Sequence, residues 1–416
     1  MNPYIELIPF SRQAWWRRAG LLLFALVALL SAGRAQAQLG AVESLLTKPI
    51  RRTHEMTESK AGPWGKLEYY HFYLEAPEHL ASKFNLPSPI TRWAFDKAKK
   101  DDIAKLLKDV GYSEETVQRL LSPRRITMEG ENLFLFPSKD DIEKLTPEAR
   151  SQLYRVLAKN PANDFQASPV IFLTDTVDEW AQDSGLPARV VDKLKQLSYH
   201  RGNALAFADV PFLIASATSD KEAHFIFRKL TRVRTVLACL IISDDENLSA
   251  LLDYWSTGLG LRRNEIEPLL LATRETEGVS RLDLLHILPP LPRKLLYTYV
   301  DPKQAALGRF PDCHWTSLNF FNFEPQNYYL DTRLATSAVL ENFQPVKPPY
   351  HYGDVLMFLD RDDHAIHSCT YLADDLVFTK NGSNIMTPWM LLQLGDLQKM
   401  YDDGEGSIRI EGFRHK

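Results

Sequence analysis

Between residues 100 and 121 apolar positions recur every three to four residues. In "DDIAKLLKDVG", Ile103, Leu106, Leu107 and Val110 fall on one helical face, and Gly111 follows as a C-cap. Ser113 then caps a second helix, with Glu114 and Glu115 in its first turn and Val117, Leu120 and Leu121 facing inward. The pattern predicts a helical hairpin. Similar periodicity predicts helices around 147–158, 176–183, 187–198, 221–241, 246–257 and 263–274, joined by short connections rich in Gly, Pro or Asp. The run "LEYYHFYLEA" (67–76) has strand character but stands alone. No fixed-period repeat or low-complexity tract appears. "HILPPLPRK" (286–294) carries three prolines, cannot continue a helix, and marks the expected domain boundary. Beyond it the period changes: "YGDVLMFLD", "IHSCTYLAD" and "DLVFTKNG" are short β-branched or aromatic runs separated by Asp and Gly turns, which predicts successive antiparallel strands. The expected fold class is α+β, with a mainly helical region over 38–290 and a small α+β domain over 295–416.

The N-terminus stands outside this organisation. Arg17 and Arg18 lead into "AGLLLFALVALLSAG", and "AQA" closes at residue 37. A basic start, a short apolar core and an A-x-A ending are the parts of a secretory signal peptide, so residues 1–37 are expected to be removed. A membrane-spanning helix needs about 20 apolar residues, which this interrupted run lacks. The expectation is an exported chain, in the periplasm or cell envelope, with no membrane span after cleavage. Without residues 1–37 the net charge moves from −4 to about −7, with 45 basic against 52 acidic residues. No basic block is present, which argues against nucleic acid as a partner.

Three cysteines in an exported chain exclude a disulfide-dense scaffold and leave at least one free thiol. Cys239 lies in the apolar run "VLACLII", predicted helical, and reads as core. Cys313 follows Pro311 and Asp312, at the predicted start of a helix, where unpaired backbone N–H groups favour a thiolate. A cysteine nucleophile needs a base, and His367 stands 54 residues on, within a predicted strand. On that strand His367, Cys369 and Tyr371 share one face. His364 and His367 are three apart on a strand and point to opposite faces, so the H-x-x-H-x-C string is not expected to hold zinc. No metal and no organic cofactor is expected. Asp362, Asp363, Asp374 and Asp375 read as turn acids. A Cys313–Cys369 disulfide remains an alternative to a free nucleophile.

"PDCHWTSLNFF", then "YHYGDVLMFLD", then "AIHSCTYLADDLVFTKNG" resemble, in order and approximate spacing, the NlpC family of papain-like cell-wall peptidases. The resemblance covers about the last 120 residues. It implies a helix carrying Cys313 packed on a small antiparallel sheet, with His367 as base. It also implies a polar third residue about twelve positions later, which is Thr379, with Asn381 as the alternative; either side chain can accept a hydrogen bond from an imidazole N–H. Asp312, His314, Trp315 and Tyr299 are the expected substrate-facing positions. The family's Ser-Gly after the cysteine is His314-Trp315 here, a departure in the substrate groove. The implied chemistry is acyl transfer on an amide of the peptidoglycan stem peptide. Two other readings stand beside it. One is a non-catalytic wall-binding or scaffold protein with a degenerate fold, and the other is a lipid ester or amide hydrolase, which would need an exposed apolar entrance.

Overall fold

The computed structural model describes residues 56–96, 99–258, 261–406 and 408–416. The signal-peptide expectation lies outside the described residues. Residues 56–416 pack as one compact unit, and its class is α+β with antiparallel sheets.

The predicted helical hairpin forms as Lys100–Asp109 and Glu114–Leu120, and Ser113 Oγ accepts from Thr116 N to cap the second helix. The helices Pro147–Leu157, Ala188–Leu197, Leu248–Trp255 and Arg263–Glu275 also fall where the periodicity placed them. Ten strands are interleaved with these helices between residues 56 and 290, among the described residues. The predicted helix over 221–241 is in fact a helix, Asp220–Leu230, followed by a strand, Val233–Ile241. Cys239 is therefore on a strand. That strand pairs antiparallel with Lys66–Leu74, the run that stood alone in the sequence, with Leu67 opposite Leu240 and Tyr69 opposite Ala238. The two runs are partners 159 to 175 residues apart, a relation that no local period reveals.

These two strands form the centre of a four-stranded sheet, edged by Thr57–Glu58 and Arg281–Asp283. Between them the chain folds into a helix-rich layer with two three-stranded sheets and its own core around Trp93, Leu107, Tyr154, Trp180 and Phe207.

The C-terminal segment supplies a six-stranded antiparallel sheet. Its spatial order is Phe343–Val346, Arg409–His415, Val355–Leu359, Ala365–Ala373, Leu376–Lys380, Trp389–Gln393. The three strands expected from the β-branched and aromatic runs are all present and adjacent. One face of this sheet shares a core with the four-stranded sheet: Val355, Phe378 and Leu391 belong to the same apolar cluster as Leu67, Leu240 and Trp255. The proline-marked stretch contributes Ile287, Leu288 and Leu291 to that cluster. Backbone bonds from Tyr297 N to Trp389 O and from Trp389 N to Thr298 O fasten the outer strand, and Thr235 Oγ1 donates to Leu391 O.

Candidate active site

The helix that begins with Cys313 is Cys313–Leu318, and its start follows from the residue before it. Asp312 is the N-cap, and its Oδ1 accepts from Trp315 N at 2.8 Å. Contacts from successive helix residues tie this turn to the strand of His367 and its neighbours. Ser317 Oγ donates to Cys313 O at 2.6 Å and lies 2.5 Å from Ser368 Oγ. His314 Nε2 is 3.2 Å from Ala365 O, so it carries a proton and donates, and Nδ1 lies 3.0 Å from Ser368 Oγ. Trp389 Nε1 donates to Thr316 Oγ1 at 2.9 Å. The helix start is thereby held against the residue next to His367.

His367 is fully buried. Tyr401 stacks on its ring at 4.5 Å and Phe358 meets it edge-on at 5.4 Å. Both ring nitrogens have hydroxyl partners: Nε2 lies 3.0 Å from Thr379 Oγ1, and Nδ1 lies 2.8 Å from Tyr401 Oη. Burial pushes the Tyr401 phenol far above its ordinary pKa, so it keeps its proton. A phenol that donates to Nδ1 leaves the imidazole proton on Nε2. Thr379 then accepts from Nε2–H, and Nδ1 is the basic nitrogen.

Cys313 is a free thiol, as are Cys239 and Cys369. It is 5% exposed. Among the described residues no hydrogen bond joins its sulfur to His367. A negative charge on Cys313 would push up the pKa values of Tyr401, Cys369 and Lys380, in each case after the effect of burial. Tyr401 is thus the group that touches the imidazole and also senses the sulfur. Burial pushes the Cys369 thiol well up, and the Cys239 thiol up to about 11, with Asp283 and Glu68 adding to the rise.

The other expected positions separate. Thr379 meets the imidazole; Asn381 does not, and its Nδ2 donates to Met400 Sδ at 3.1 Å. Asp312 caps the helix and His314 clamps it to the neighbouring strand. Trp315 is buried against Trp389 with ring centroids 6.3 Å apart. Tyr299 packs beside Ala76, Ala81 and Met386, and no hydrogen bond joins it to the cysteine helix. His364 faces solvent 3.4 Å from Asp360, away from His367. Asp360, Asp362 and His364 do come together in that exposed turn, where Asp360 Oδ1 accepts from Asp362 N and His364 N.

Two residues that sequence reasoning did not assign to the site belong to the cluster. Lys380, next to Thr379, is fully buried and donates to Gly382 O and Asn384 O; a lysine inside an apolar strand was the available signal. Tyr401 closes the helix Leu394–Tyr401, and no motif marks it. Tyr401 and Asn381 also line a cleft of about 690 Å³ between the sheet and the helix-rich layer. No family model, curated protein or solved structure matches this chain. Among the described residues no helix is long and apolar enough to cross a membrane.

Proposed function

We propose that this chain is an exported cysteine hydrolase of the NlpC type that cleaves an amide bond in peptidoglycan stem peptides, working in the periplasm or cell envelope. The observation that carries the reading is the setting of His367: a buried imidazole with Thr379 Oγ1 at Nε2 and Tyr401 Oη at Nδ1, on a strand laid against the helix that starts at Cys313. Cys313 gives its proton to Nδ1, and the sulfur attacks the amide carbonyl. His367 returns that proton to the amine as the C–N bond breaks, leaving a thioester. Water then loses a proton to Nδ1 and displaces the thiol, which is restored by the same proton. The backbone N–H of Cys313, at the helix start, is a donor for the oxyanion. The Tyr401 hydroxyl occupies Nδ1 in the resting arrangement, so it must yield that nitrogen as substrate enters.

This occlusion, with no hydrogen bond between Cys313 and His367 among the described residues, favours a non-catalytic wall-binding protein instead. Two measurements separate the readings. Iodoacetamide at pH 7 is expected to label Cys313 ahead of Cys239 and Cys369, whose thiols burial holds protonated, and the preference is lost in His367→Ala. Purified sacculi incubated with wild type are expected to release peptides that Cys313→Ala does not release. Equal, slow labelling of all three thiols together with intact sacculi would leave only the wall-binding reading.

A further inference from the structure

The cleft beside Tyr401 has a charge pattern that neither the chemistry above nor the packing of the fold uses. Its two ionised lining residues are Arg201 and Arg232; none of its lining residues is acidic, although the whole chain carries a net charge of −4. Arg232 is only 8% exposed, yet its Nε and Nη1 have no hydrogen-bond partner. The closest carboxylate, Glu75, stands 4.0 Å from Nε and is already held by Lys229 at 2.6 and 2.8 Å. The guanidinium lies over the Tyr73 ring, 4.0 Å from its centroid, which fixes its plane without satisfying its N–H groups. A buried guanidinium whose Nε and Nη1 lack hydrogen bonds is costly, and a bidentate carboxylate is the partner its fork geometry fits. Arg201 is tied only by a long contact of 3.4 Å to Met400 O.

From the same cleft to the imidazole the path is short. Tyr401 lines the cleft and touches His367 Nδ1, and the loop carrying Gly382 and Asn384 lines it too, anchored by Lys380. Besides its apolar side chains, the wall offers Ser168, Asn381, Ser383, Asn384 and Thr387, groups that can bond a peptide backbone. The geometry points to a substrate subsite for a peptide bearing a free carboxylate, with Arg232 and Arg201 as its recognition residues. This deepens the hydrolase reading and rests on it.

The test uses the full chain with Cys313→Ala, so that ligands bind without being cut, and calorimetry with two probes, N-acetyl-L-alanyl-D-glutamic acid and its diamide. The acid is expected to bind at least about 10-fold tighter than the diamide, with the preference weakening as salt rises. Adding Arg232→Met should abolish the preference, and adding Arg201→Met should reduce it. If Arg232→Met does not fold, Arg201→Met and Arg232→Lys carry the comparison, since lysine keeps the charge but loses the fork. Equal binding of acid and diamide, binding of neither, or a preference that survives both methionine variants overturns the subsite. So does binding to phosphatidylglycerol vesicles that depends on the arginines while the peptide acid is ignored, which would assign the cleft to lipid. Failure of the hydrolase reading is seen separately: intact sacculi with an arginine-dependent acid preference sink the enzyme and keep the subsite, whereas released peptides without that preference do the reverse.

Discussion

Lys380 is the residue whose chemistry and surroundings are most opposed. Its ammonium is buried within bonding distance of two carbonyls and no carboxylate, 2.7 Å from Gly382 O and 2.9 Å from Asn384 O. Desolvation brings its pKa down from 10.5 to about 8, against the pull of Cys313 and Asp312 in the other direction. The consequence for stability has a definite sign. Between pH 8 and 10.5 the unfolded chain holds a proton on this lysine that the folded chain has released, so this residue's contribution to stability rises with pH across that window and is lost as pH falls through 8. Denaturant unfolding at a series of pH values should show this as a slope of up to about 1.4 kcal/mol per pH unit that is present in wild type and missing in Lys380→Met. The variant will also be less stable throughout, because two carbonyls lose their donor. The difference in slope is the diagnostic quantity, and parallel pH profiles for the two proteins would mean that Lys380 titrates as it does in water.

At the scale of elements, the Gly353-Asp354 pair shows how a motif read for its family likeness acts physically. Gly353 has φ of 89°, and a Cβ there would collide with the Phe321 ring. Asp354 accepts from His351 N at 2.7 Å and from Arg414 Nε and Nη2 at 2.7 and 2.8 Å. The pair therefore sets where the strand Val355–Leu359 starts and locks it to the last strand, and so fixes the neighbour along which His367 is registered, opposite Phe358. Gly353→Ala is expected to destabilise the protein by more than about 2 kcal/mol, from the left-handed backbone and the ring contact together, seen as a lower denaturant midpoint at unchanged slope. A midpoint within error of wild type would show that Phe321 swings away freely and that the glycine anchors nothing. The strands here were legible because β-branched and aromatic runs were bounded by Asp and Gly turns; Asp363 and Asp374 take φ of 65° and 53° at those turns. The run "VLACLII" was misread because a short, continuous apolar stretch has no period to separate helix from strand. A partner strand far upstream decides the matter.

For the molecule as a whole, the candidate site divides into a part written locally and a part assembled over distance. Cys313, His367 and Thr379 could be found by order and spacing, since each sits at a helix start or on a strand whose local pattern is clear. Tyr401, Arg201 and Arg232 could not, because each is ordinary in its own segment and acquires meaning only from what folding brings beside it. The same long-range assembly governs stability. Val355, Phe378 and Leu391 bury against a core that includes Leu67, Val236, Leu240 and Trp255, and the outermost strand of the six takes its edge bonds from Tyr297 and Thr298. A chain beginning at residue 295 keeps the cysteine, the histidine and every strand of that sheet, but it exposes the apolar face that residues 67–291 cover. Large uncovered apolar faces favour association over a folded monomer. The fragment 295–416 made alone is thus expected to aggregate or to melt without a cooperative transition by circular dichroism, whereas 56–416 should unfold cooperatively. A soluble, monomeric fragment with a sharp transition of its own would show instead that the shared core is a dispensable contact. The cysteine helix and its sheet would then be a module that the rest of the chain merely accompanies.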